Sequence, residues 1–312
     1  MKKCSRFIIG CNYECSLHQI LIIFIAIIAG FVCRKLGAIT EEGTSVLSGI
    51  VIKIILPFYL FNAIVSSKSG VDAGGVALAI VLSSLMFLLS GIVAWLFVKA
   101  TAPKKEDRGV YMFELLCGNV TYIGIPVCAA VFGEKAAFYA SILNIPYNLI
   151  CFSLGIFLLA GKASIRKILN PAFLSGVVAV IVYTLKIKIP SVITDGCAFV
   201  GQATSPCAML VIGSVLAGVP FGEIFTEWRS IPFAILRLAG IGALVAFGLR
   251  FLDVDPVLKG VLILMASMPA ATNSTMLCSI YGGNRELSAK LIFISTALSA
   301  LSITLWSAFY FG

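Results

Sequence analysis

Apolar residues in this chain come in long runs separated by short stretches bearing charge, Gly and Pro. The runs fall near 17–36, 44–66, 73–98, 109–132, 135–160, 170–187, 193–217, 229–251, 257–281 and 286–310. About 20 apolar residues carry an α-helix across the hydrocarbon of a bilayer. The pattern therefore predicts an all-α integral membrane protein with ten transmembrane helices. The first run follows a polar tail, residues 1–16, and lacks a small-residue cleavage site, so it is expected to be a span and not a signal peptide.

Sliding the sequence against itself by 149 positions lays Pro57 on Pro206, Gly91-Ile92 on Gly240-Ile241, Ala94 on Ala243 and Gly133 on Gly282, without a gap. The Pro and Gly pairs carry the weight, because these residues punctuate helices for physical reasons. The same shift superimposes spans one to five, residues 17–160, on spans six to ten, residues 170–311. Five is odd, so the second copy enters the membrane from the opposite side, which is the inverted repeat of many transporters.

Span four contains Gly118-Asn119-Val120-Thr121-Tyr122-Ile123-Gly124-Ile125-Pro126 in the middle of an otherwise apolar run. Pro126 has no N–H to give the carbonyl of Tyr122 and its ring presses on that carbonyl, so the helix is expected to kink or open there. Span nine repeats the pattern at Met268-Pro269-Ala270-Ala271-Thr272-Asn273-Ser274-Thr275, which the shift lays on the first stretch. One such Pro alone is more simply a kink. Two matched breaks, each beside Asn and Thr, instead suggest a site at the midplane, where irregular backbone is tolerated only against protein or a water-filled cavity. Half-helix N-termini offer free N–H groups and partial positive charge, so the favoured guest is a small organic anion such as a carboxylate. The candidate contacts are Asn119, Thr121, Pro126, Pro269, Thr272 and Asn273.

Composition agrees: 60% of residues are apolar, 12% are charged, and the mean hydropathy is +1.06, which a soluble domain could not carry. The net charge of +9 lies mostly in short loops, where it reads as a topology signal and not as affinity for nucleic acid. Lys99, Lys104, Lys105, Arg108, Lys162, Arg166 and Lys167 place their loops inside and both termini outside. Ten cysteines are scattered mainly through spans, as small apolar residues. Cys4, Cys11 and Cys15 lack zinc-site spacing, and no metal or other cofactor is expected. The single histidine, His18, and aspartates confined to loops and span edges leave no intramembrane hydrolase site, so an enzyme is not expected.

With these motifs in order, the chain resembles the auxin efflux carrier family, including bacterial permeases related to plant PIN transporters. The resemblance runs from Leu17 onward through Leu56-Pro57-Phe58-Tyr59-Leu60-Phe61, Gly118-Asn119, Gly124-Ile125-Pro126 and Asn170-Pro171. It implies a substrate site where helices four and nine cross, a scaffold of spans 1, 2, 6 and 7, an elevator-like moving bundle of the other six, and a homodimer in the cell membrane. Val120, Thr121 and Tyr122 depart from the family pattern after the span-four Asn, which argues against auxin as the substrate.

Three charges stand out toward the interior of spans: Lys53, Glu114 and Arg237. Each costs roughly 2.5–3.5 kcal/mol on insertion scales. Glu114 and Arg237 are expected to form a structural ion pair, with a coupling role for Glu114 as the alternative; Lys53 either snorkels or faces the cavity. The leading function is secondary transport of carboxylates, with Na+ or H+ left open as the coupling ion. A sodium-coupled carrier resembling the bile acid symporters, with Thr121, Thr272, Ser274 and Thr275 near the ion, is one alternative, and a non-transporting receptor is another. A proton antiporter would place carboxylates at the crossing, and the sequence puts none there.

Overall fold

A computed structural model describes residues 22, 24–160, 170–218, 227–272, 274–281 and 283–311. The described residues are helical throughout, and the only β pairing among them is one isolated bridge. In chain order the helices are α1 (24–35), α2 (Glu41–Val65), α3 (Ala73–Thr101), α4 (Arg108–Leu116), α5 (Val120–Phe132), α6 (Glu134–Leu159), α7 (Pro171–Thr184), α8 (Ser191–Ala217), α9 (Ser230–Leu249), α10 (Pro256–Ala266), α11 (Ser274–Tyr281) and α12 (Arg285–Phe311). Their starts follow local chemistry. Thr40, Asp72, Asn170 and Asp255 each accept a backbone N–H from the first turn they precede, satisfying a donor that the helix leaves unpaired.

Among the described residues six helices are long and apolar enough to cross a bilayer: α2, α3, α6, α8, α9 and α12. The fourth and ninth apolar runs fall short of that length because each is cut in two, into α4 and α5 and into α10 and α11. Ile25, Val81, Leu88, Phe199, Phe247 and Leu301 are all exposed, so the outer surface is as apolar as lipid requires.

Among the described residues four helices widen into π turns, at Val51–Ile55, Val120–Gly124, Cys151–Gly155 and Leu236–Gly240. The first two run directly into Leu56-Pro57 and Ile125-Pro126. A π turn moves the carbonyl that a following proline ring would strike and removes the need for its missing N–H. Pro126 therefore does not open its helix, as its chemistry alone suggested. It sits in the first turn of the segment Ile125–Phe132, and the opening lies earlier, at Cys117, Gly118 and Asn119.

α7 and α8 pack on α2, and α8 also packs on α1. Glycine makes these contacts close: a Cβ on Gly213 would strike the Ile27 carbonyl, one on Gly30 the Leu210 backbone, and one on Gly201 the Tyr59 backbone. Other helical glycines make no such contact: a Cβ on Gly49 would meet open space, and one on Gly240 only Leu236 of its own helix. α3, α4, α5 and α6 pack together around the first break; α9 to α12 surround the second.

Candidate functional site

The two breaks meet. Gly118 and Ala270 form an antiparallel bridge, and the Asn119 amide donates to the Pro269 carbonyl at 2.7 Å. Backbone freed in one interrupted helix is thus satisfied by the other, as burial demands. Asn119 also caps α5, its Oδ1 accepting the Tyr122 amide at 3.2 Å. Its remaining donor, Nδ2, reaches Thr272 Oγ1 at 3.4 Å, at the long limit of a hydrogen bond. Asn119 and Thr272 are both buried, 3% and 5% exposed.

Beside the bridge is a small cavity lined by Asn119, Thr121, Tyr122, Tyr147, Asn148 and Thr272, with Ile52, Leu56 and Phe152. Its free space is about 20 Å³, enough for an ordered water but too small for a dicarboxylate without rearrangement of its walls. A run of amides extends from it. Asn144 Nδ2 donates to Thr121 Oγ1 at 2.8 Å, Asn148 Nδ2 to the Asn144 carbonyl at 2.7 Å, and Asn170 Nδ2 to Asn148 Oδ1 at 3.3 Å.

Of the residues named from sequence, the fold brings Asn119, Thr121 and Thr272 to the cavity, and Pro269 supplies the carbonyl that joins the breaks. Asn273 lies outside the described residues. Pro126 is one turn beyond the break and does not line the cavity. Lys53 is exposed and does not line it either. Tyr147, Asn144 and Asn148 were not named. The signal was present in the two asparagines, spaced i, i+4, which present both amides on one face of an apolar span.

The expected ion pair is replaced by a different arrangement. Glu114 and Arg237 are buried, 0% and 1% exposed, yet they make no salt bridge with each other. Arg237 Nη1 donates to the Leu115 carbonyl at 3.0 Å, placing a cation on the freed C-terminal end of α4, while Nε has no partner. Glu114 accepts from the Ala271 amide at 3.1 Å, from the Ser288 hydroxyl at 2.8 Å and from the Ser274 hydroxyl, placing an anion at the N-terminal end of α11. Each charge thus serves a helix end with the opposite partial charge. Gly118 belongs to the same arrangement, because a Cβ there would coincide with the Arg237 guanidinium. Cys117, Cys128, Cys151 and Cys278 are buried free thiols, and no cluster of potential metal ligands occurs among the described residues.

A family model described as "Membrane transport protein" matches residues 15–165 and 159–307. An uncharacterized transporter from Methanocaldococcus jannaschii is 28% identical over 303 residues, which is 93% of this chain and 97% of the relative. A protein named "Putative malonate transporter" from Rhizobium meliloti is 23% identical over 302 residues, covering 91% of this chain and 92% of that one. Protein PIN-LIKES 7 from Arabidopsis thaliana is 28% identical over 131 residues, 38% of this chain and 32% of the relative. The chain belongs to this membrane transport family, the auxin efflux carriers, and is a multi-pass membrane transporter and not an enzyme.

Proposed function

We propose that the protein is a secondary transporter of small organic carboxylates, with the anion held where the two interrupted helices meet. The observation that carries this reading is the bond from the Asn119 amide to the Pro269 carbonyl, which joins the breaks beside a buried polar cavity. The weak bond from Asn119 Nδ2 to Thr272 leaves a donor ready for an incoming carboxylate, and the first turn of α5 adds its partial positive charge. Thr121, Thr272 and Asn273 complete the contacts. A relative named for malonate supports the carboxylate class.

On this reading the chain spans the membrane ten times as two inverted halves, 17–160 and 170–311, with both termini outside. Spans 1, 2, 6 and 7 form the scaffold and dimer side. The remaining spans move as one elevator-like body, opening the cavity to each side in turn. Purified protein in proteoliposomes should show counterflow of labelled malonate or of another small carboxylate. Saturable binding without counterflow would make the protein a receptor instead. Sodium enters the same assay: a requirement for it in counterflow would favour the sodium-coupled alternative.

A further inference from the structure

The sequence places no carboxylate at the crossing, but the fold puts one there. Glu114 lies in the last turn of α4 and is wholly buried, and its oxygens accept from Ala271 in the facing break, Ser274 at the start of α11 and Ser288 in α12. A buried intramembrane carboxylate is costly and marks proton relays more often than chance would allow. No salt bridge fixes this one in the ionised state. Arg237, the charged group nearest in effect, spends Nη1 on the Leu115 carbonyl.

The identity of the partners adds a second observation. A serine hydroxyl donates to a carboxylate and can equally accept from a carboxylic acid. With Ala271 N–H on Oε2, a proton on Oε1 would find Ser274 or Ser288 as its acceptor. Glu114 is therefore hydrogen-bonded in both protonation states without any rearrangement of backbone. The other titratable or charged groups facing it are Arg237 from α9, Tyr147 from α6, Cys278 from α11 and Cys117 beside the break in its own span.

Position links this carboxyl to the anion. Thr272, in the cavity wall, directly follows Ala271, whose amide Glu114 holds. An ionised Glu114 neutralises the positive end of α11 and repels a second anion at the crossing, whereas a protonated one removes that repulsion and leaves the partial positive charge of the helix end uncompensated. We infer that Glu114 is the proton-coupling residue of this transporter, taking up one proton as the anion binds and releasing it on the far side. The inference rests on the proposed transport function. The chemistry is one O–H bond formed on a Glu114 oxygen and the same bond broken at release, with no redox change.

The test uses proteoliposomes with the membrane potential clamped at zero and labelled malonate as probe, alongside other small mono- and dicarboxylates. Counterflow without a pH gradient first establishes transport. A gradient of one pH unit should then drive about tenfold accumulation in the alkaline lumen, above protein-free vesicles, because one pH unit is a factor of ten in proton activity. Glu114→Gln should abolish that accumulation, and the counterflow that remains should lose its pH dependence. Counterflow in the wild-type protein without gradient-driven accumulation overturns the coupling while leaving the transport reading intact. Gradient-driven accumulation in a folded Glu114→Gln protein overturns the residue assignment. Absence of counterflow with every carboxylate overturns both readings. Should Glu114→Gln fail to fold, Glu114→Asp, which keeps the titratable group, should retain accumulation, and its loss in a folded Asp variant counts against the assignment.

Discussion

Asn119 does two jobs with different atoms, and this allows its structural and binding roles to be separated by choice of substitution. Oδ1 caps α5 through the Tyr122 amide, while Nδ2 is the donor held loosely by Thr272. Asn119→Ser keeps a good capping oxygen, since serine and asparagine are near-equal N-caps, but removes the amide donor. A hydrogen bond to a charged group contributes about 1.5–3 kcal/mol, so carboxylate affinity should fall roughly 10- to 100-fold. The melting temperature should change little. Asn119→Ala removes both functions, and its lost cap adds about 0.5–2 kcal/mol of destabilisation to the same loss of affinity. Ligand-dependent thermal shifts of the three proteins, with Kd from titration, provide the assay. An Asn119→Ser protein that binds the carboxylate as tightly as wild type would refute the assignment of Nδ2 to the substrate.

Other expectations follow from single contacts. Gly118→Ala should destabilise by more than the roughly 1–3 kcal/mol usual for overpacking, because its Cβ coincides with the Arg237 guanidinium; melting in detergent, with Arg237→Met as a partial rescue, measures this. Pro126→Ala should leave affinity within about twofold, since Asn119 and Pro269 hold the break without it; a large loss in a binding titration would return the opening to Pro126. At the α10 end, partial burial raises the Asp255 carboxyl, but hydrogen bonds from Lys135 and the Val257 amide, with the Lys135 charge and Tyr139, outweigh it and hold the carboxyl below its ordinary range. A lowered carboxylate stabilises above its unfolded pKa and loses that contribution as pH falls through the folded value. Melting followed below about pH 4 should therefore decline less steeply in Asp255→Asn than in wild type.

The membrane class, the helical character of the apolar runs and the presence of two interrupted runs were legible in the chain. Hydrocarbon thickness and the cost of unpaired backbone leave few alternatives for runs of this length and for Pro with Gly, Asn and Thr inside them. Asn119, Thr121 and Thr272 were legible for the same reason, as polar groups at a place where polarity needs a cause. The exact site of opening was not. Pro126 is one turn from it, because a π turn absorbs the missing N–H and the exchange of backbone bonds with Pro269 decides where the helix parts.

The partners of the buried charges also lay beyond sequence. Glu114 and Arg237 are two charges inside apolar runs, and an ion pair is the obvious way to offset two such costs. Only the tertiary structure brings Ala271, Ser274 and Ser288 to the carboxylate and the Leu115 carbonyl to the guanidinium. These partners are up to 174 residues apart in the chain. The sequence by itself determined that the helices must break and which residue types would stand at the breaks. Which freed backbone group each charge would satisfy depended on how the helices cross, and the crossing is a property of packing.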